Sequence, residues 1–365
     1  MRETAKHPRF HSLSTDPWNG EPPPELLVES SVTPAELFYV RNHAPVPEID
    51  TASYRLAVGG RVQRPLRLSL DDLRRGFPAV EATAALQCAG NRRTELLEER
   101  PIPGEEPWGF AAVGNARWRG TPLAAVLAAA GVDLPDDGAA HVAFLGLDRV
   151  EKGGKTFGFG GSIPLARALA PAGALLAWEM NGAPLPPEHG FPLRVVVPGY
   201  IGARSVKWLG EIEVRGEPSD NYYQARAYKL FPPHVGPEDA DWPGGLMLGE
   251  LSVTSAICSP ANGAEVPAGR VTVRGYAMAG GDRTVERVEV SADGGGRWVV
   301  AEHERAPAGA WSLWRAEVEL PAGEHELLCR AWDSSANTQP EDPAALWNFK
   351  GYMNNAWHRV RVAAV

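Results

Sequence analysis

Between residues 53 and 216, short apolar runs alternate with punctuated helical segments. SYRLAVGG (53–60), HVAFLGL (141–147), ALLAWEMNG (174–182), FPLRVVVPG (191–199) and VKWLGEIEVRG (206–216) are rich in β-branched and aromatic residues and bounded by Gly, Pro or Asn, so each predicts a strand. Two helices carry their own start and stop signals. SLDDLRRGF offers Ser69 as N-cap, acids in the first turn and Gly76 beyond the end; GTPLAAVLAAAGV offers Thr121 as N-cap, Pro122 at the first helical position and Gly131 as terminator. Strands and helices mixed in this way indicate an α+β domain. The first fifty residues, with NGEPPPELLVESSVTP, show no period and predict an extended arm lying on the surface of that domain.

The texture changes after DWPGGLMLGEL. VTVRGYAMAG, VERVEVSADGGGRWVVAEHE, WSLWRAEVELPAGEHELLCRAWD and WHRVRVAA alternate apolar and polar positions between Gly-rich turns, with no helical period among them. Such a series predicts an immunoglobulin-like β-sandwich. The expected division is 1–248, with an arm over 1–50, and 249–365.

Composition narrows the function. A chain of 365 residues exceeds what one core spans, which agrees with two domains. The net charge of −9 supplies no basic field to draw the protein onto nucleic acid. The N-terminus MRETAKHPRFHSLSTD lacks the apolar stretch of a leader, and no later run reaches the roughly 18 apolar residues of a membrane helix. The expectation is a cytoplasmic or periplasmic protein that does not enter the membrane. Of three cysteines, Cys258 and Cys329 have roughly the spacing of an immunoglobulin bridge, but they are expected to be buried free thiols.

The third cysteine sits in LQCAGNRR, where an apolar strand breaks. Gly90 permits close approach, and Arg92 and Arg93 are expected to favour the thiolate of Cys88. A thiolate in that setting is a soft metal ligand or a nucleophile. A cysteine protease or transferase needs a base such as His43 or His189, yet neighbouring arginines disfavour an imidazolium partner. A zinc site from Cys88, His43 and His189 is open by residue type. A metal that arrives with its own anionic ligands suits a lone thiolate in positive surroundings. FYVRNHAPVP adds Arg41 and His43, and EHGFPLRVVVPGYIGARSVKW adds His189, Arg194, Arg204, Ser205 and Lys207, enough donors to hold a phosphate and a polar heterocycle. GFGG at 158–161, before the expected cap Ser162, adds a turn with spare amides.

RNHAPVP, LQCAGNRR, NARWRGTPL, HGFPLRVVVPGYIGARSVKWLGEI, YYQARAYKLFPP and WNFKGYMNNAWHRVRV, in this order, resemble the sulfite oxidase family of molybdopterin enzymes over residues 35 to 365. The resemblance implies a molybdopterin-binding domain followed by an immunoglobulin-like dimerisation domain. It implies that Cys88 is the single protein thiolate on molybdenum, beside the pterin dithiolene. Tyr39, Val40, Arg41, Asn42, His43, Asp148, His189, Arg194, Arg204, Ser205, Val206 and Lys207 match cofactor-holding positions. Arg41, Arg93, Trp108, Tyr228 and Lys350 match the pocket where an oxyanion meets the metal, Trp108 as an apolar wall. The implied reaction takes sulfite to sulfate in a homodimer; the sequence shows no haem-binding or flavin-binding segment and no Cys-x-x-Cys-His, so no haem or flavin is expected and electrons are expected to pass to a separate acceptor such as a cytochrome.

One position departs from the pattern: Lys350 stands where the family usually has arginine, which keeps the charge but loses the bidentate fork. Nitrate reductases resemble the same core, but typically have asparagine at the position of Tyr228 and methionine at that of Lys350. A sulfoxide-reducing relative and a catalytically silent binding protein are the remaining alternatives.

Overall fold

The computed structural model describes residues 4–132 and 140–365. Two sheets build the α+β part. One has the strand order Gly160–Pro164, His141–Gly146, Leu209–Arg215, Leu56–Gly60, Leu66–Leu68; Leu209–Arg215 and Leu56–Gly60 run parallel, the other neighbours antiparallel. The other is antiparallel, in the order Ala183–Pro184, Leu175–Met180, Val113–Pro122, Val80–Gln87, with Arg194–Val196 also paired to Leu175–Met180. Leu73 and Leu127, from the helices Leu70–Gly76 and Leu123–Ala130, share a core with Val58, Phe144, Leu176 and Ile212. No helix among the described residues is long and apolar enough to cross a membrane.

The punctuation read from sequence holds in part. Ser69 caps Leu70–Gly76, its Oγ accepting from the Asp72 N–H at 3.1 Å while the Asp72 carboxylate accepts from the Ser69 N–H at 2.8 Å. Gly76 is the last helical residue rather than the one beyond it, and extended Phe77 ends the helix. Gly131 terminates Leu123–Ala130 at φ 64°. Thr121 is not a cap: it pairs with Leu176 inside the strand Val113–Pro122, so Pro122 becomes the N-cap and the Thr121 hydroxyl has no partner. Ser162 also lies within a strand, and its hydroxyl accepts from the Ser219 N–H (2.9 Å) and Gln224 Nε2 (3.0 Å). Gly160 and Gly161 belong to that strand, so GFGG is not an open turn.

The N-terminal segment lies on the surface only in part. It forms the hairpin His11–Thr15/Trp18–Glu21, and Leu27, Phe38, Tyr39 and Val40 are buried. Phe38 sets its edge against Trp118 (5.9 Å) and His189 (5.3 Å), and Val40 pairs with Gly20. Its scattered apolar residues fill a gap that the sheets leave open, which periodicity does not reveal.

The C-terminal sandwich packs a four-stranded sheet (Thr254–Ser259, Gly269–Met278, Trp311–Leu320, Glu302–His303) on a five-stranded one (Ala264–Val266, His358–Ala364, Gly323–Asp333, Val285–Ser291, Val299–Val300). Ile257, Val273, Val288, Leu327 and Val360 form its interior. Cys258 and Cys329 are buried free thiols. Asn91 Nδ2 donates to Tyr276 Oη (3.1 Å), tying the sandwich to the turn after Cys88, and Trp311 Nε1 donates to the Ser31 carbonyl (2.9 Å), tying it to the N-terminal segment.

His358 gives the sandwich a pH dependence. Burial pushes its pKa down to about 4, against the pull of Glu95, and neutral Nδ1 accepts from the Ile257 N–H at 3.1 Å. In the unfolded chain the ring titrates near its ordinary 6.5. As pH falls from about 6.5 to about 4 the unfolded state therefore binds a proton that the folded state refuses, and stability drops by at most about 3 kcal/mol. Thermal melts across this window should fall more steeply for the wild type than for His358→Gln; parallel curves would contradict the assignment.

Candidate active site

The strand Val80–Gln87 delivers Cys88 to one end of the sheet, where its N–H donates to the Ala112 carbonyl (2.9 Å) and its Sγ accepts from the Gly90 N–H (3.4 Å). Cys88 is 6% exposed and borders a cleft. Tyr39, Arg41, Asn42 and His43 face it from the N-terminal segment. His189, Arg194, Ser205, Val206 and Lys207 come from the loops around Arg194–Val196, while Asp148 and Tyr228 enter from the other sheet's side.

Polar groups inside are aimed by backbone carbonyls. Arg194 donates to the carbonyls of His189 (2.9 Å) and Ser205 (3.0 Å). Lys207 Nζ donates to the carbonyls of Arg41 (3.0 Å) and Glu188 (2.8 Å) and to Asn42 Oδ1. Arg41 Nη1 donates to Asn19 Oδ1 at 3.2 Å, and Asp148 Oδ1 accepts from the Phe159 N–H at 2.9 Å. Burial pushes Arg194 down to about 10 and holds Lys207 well below the usual lysine range. Burial opposes the charge of Arg41 as well, but the acidic groups of Tyr228 and Cys88 outweigh it and hold its pKa above the ordinary value. These buried and half-buried cations are steadied by dipoles, an arrangement that favours a bound anion.

Both cleft histidines are neutral. Burial first, then Arg41, holds His43 well below 6.5; burial first, then Lys6, does the same for His189. His43 stacks on Phe159 (4.7 Å) and its Nε2 lies 3.1 Å from Tyr228 Oη. Burial raises the phenol of Tyr228, so it remains a hydrogen-bond donor. No three His, Cys, Asp or Glu side chains among the described residues are grouped to hold a metal ion. The trio Cys88, His43 and His189 is thus not assembled as a zinc site, and a metal at Cys88 would bring its own ligands.

Several candidates lie elsewhere. Arg92 does not face the thiol: it is fully buried, paired with Glu95 at 2.7 and 2.6 Å, and reaches the Ser255 carbonyl, because its φ of 68° turns it toward the sandwich. Arg41 and Arg194 are the guanidiniums that share the cleft with Cys88. Arg93, Trp108, Lys350, Val40 and Arg204 do not line the cleft. Arg93 lies across Gly90, where a Cβ would collide with its Nη2, so the group that Gly90 admits is this guanidinium. Trp108 is buried and backs Tyr39 edge-on at 6.5 Å. Val40 is buried in its pairing with Gly20, and Arg204 clamps the Leu248 carbonyl with one Nη left unpartnered. Sequence reading missed Asn19, Glu105, Phe159, Glu188 and Tyr352. Only the acidic pair in GEEPW, just before Trp108, offered a signal for one of them.

Comparison with known proteins assigns this geometry. Residues 43–223 match the oxidoreductase molybdopterin binding domain, and 246–365 match the Mo-co oxidoreductase dimerisation domain. The chain is therefore a molybdopterin-type oxidoreductase. It is 49% identical to sulfite oxidase of Gallus gallus over 97% of this chain and 78% of that protein. It is 40% identical to the nitrate reductase [NAD(P)H] of Hordeum vulgare over 98% of this chain but 42% of that protein. Its structure matches the sulfane dehydrogenase SoxCD of Paracoccus pantotrophus with a TM-score of 0.80 at 26% identity, covering 95% of this chain and 84% of that one. The chain belongs to the sulfite oxidase family.

Proposed function

We propose that this protein oxidises sulfite to sulfate and passes the electrons to a separate one-electron acceptor such as a cytochrome. The observation that carries this reading is the convergence of Cys88, Arg41 and Tyr228 on one cleft. The residues present fit a molybdenum–pterin group: one thiolate to ligate the metal, and buried cations with dipolar support to hold an anionic pterin. Cys88 would ligate the metal; Arg194, Lys207, Ser205, Asp148, His43, His189 and the backbone of Tyr39 to Asn42 would hold the pterin and its phosphate. When bound, this group supplies oxygen-atom transfer and the two-electron redox change.

The chain's own residues prepare the substrate. Arg41 offsets the charge of an incoming oxyanion, and its Asn19 partner fixes the direction of the guanidinium. Tyr228, a phenol at working pH, turns its proton from His43 to a substrate oxygen. His43, neutral and stacked on Phe159, adds no charge to the cleft and leaves that proton to be shared. The balanced change is sulfite and water to sulfate, two protons and two electrons. A homodimer formed through the sandwich completes the proposal.

Molybdenum-loaded protein tests it. Sulfite should drive reduction of an artificial one-electron acceptor, with two electrons per sulfate formed. Nitrate reduction from a reduced dye, with no response to sulfite, would reassign the site.

A further inference from the structure

Arg41, Arg93 and Lys350 form one connected group. Arg93, seated between Gly90 and Gly351, donates Nη1 to the Glu106 carbonyl at 2.6 Å and Nε to the Lys350 carbonyl at 3.1 Å. The Glu106 carboxylate accepts from Asn19 Nδ2 at 3.2 Å, and Asn19 in turn accepts from Arg41. The ammonium of Lys350 does not stand free in this group. It is ion-paired with Glu105, whose other carboxylate oxygen lies 3.7 Å from Arg93 Nη2.

This cluster sits at the edge of the active site. Arg93 and Lys350 lie over the ring of Tyr352 at 5.2 and 5.8 Å, and Tyr352 stacks on Tyr228 at 5.3 Å. The side chains of Glu105 and Lys350 are 16% and 20% exposed, so solvent reaches them. Arg41, Tyr228 and Tyr352 all sense the charge of Glu105. A carboxylate presents two anionic oxygens to the pair of cations, the same chemistry that a small oxyanion offers.

We propose that Glu105 sets the oxyanion affinity of this site: its carboxylate occupies the Arg93–Lys350 pair, and an incoming small dianion displaces it, so that binding is an exchange of one anion for another. Lys350 alone would hold an oxyanion as a point charge. With Glu105 beside it, the resident carboxylate weakens both substrate and product, and product leaves readily. The turnover part of this inference rests on the sulfite reading above; the binding part does not.

Calorimetric titration of the holoenzyme with sulfate measures binding without turnover, and steady-state kinetics with sulfite measure the consequence. Glu105→Gln and Glu105→Ala, two variants so that a folding failure in one leaves the other, should bind sulfate roughly ten-fold more tightly. Their KM for sulfite should fall by a similar factor while kcat holds or declines as product release slows. Glu105→Asp, which keeps the carboxylate, should behave as the wild type. Unchanged or weaker sulfate binding in the neutral variants overturns the proposal, since Glu105 then merely steadies Lys350. Tighter sulfate binding in an enzyme silent toward sulfite would sink the sulfite reading and leave the role of Glu105 standing.

Discussion

Cys88→Ser is expected to lower sulfite turnover by more than about 100-fold, the loss that even a partner one step removed from a metal ligand can cause. Serine replaces a soft thiolate with a hard, protonated hydroxyl, a poor ligand for a metal that favours sulfur. The fold should survive. The Cys88 thiol takes part in one side-chain hydrogen bond, from the Gly90 N–H at 3.4 Å, and the strand behind it is held by its pairing with Val113–Pro122. Equal melting temperatures and retained pterin beside lost turnover would assign the effect to the ligand. Substantial sulfite activity in the variant would refute that role.

Arg41→Gln should cost about 100- to 1000-fold in kcat/KM, the range seen when one preorganised donor to developing charge is removed. Arg41 is half-buried, directed by Asn19, and shares the cleft with Cys88 and Tyr228. Glutamine keeps a donor but removes the charge that an oxyanion needs. Arg41→Lys should fall between the two, since it restores charge without the planar fork. Rates at matched molybdenum content check this. A glutamine variant within about two-fold of the wild type would mean that the anion is met elsewhere.

The sandwich and most strands of the first domain were legible in sequence. Alternation such as VERVEV and WRAEVEL has one physical reading, a surface with one face buried. Ser69 was legible because its cap is local, with Asp72 three residues on. Thr121 was misread because pairing with Leu176, a tertiary fact, holds it in a strand. The arm was misread because a Pro-rich segment carries no period, although Phe38 and Tyr39 pack beneath the site. Cys88 and the cations of the loops stood out by residue type. Their direction did not: Arg92 and Arg93 share a dipeptide, yet one turns to Glu95 and the sandwich while the other lies across Gly90. Glu105 showed in sequence only as half of an acidic pair, because its meaning comes from Lys350, far along the chain.

X-ray absorption at the molybdenum edge, on wild type and Cys88→Ser at equal molybdenum content, addresses the central claim most directly. The account predicts one fewer sulfur neighbour at the metal in the variant. An unchanged sulfur count would place Cys88 outside the coordination sphere and contradict it.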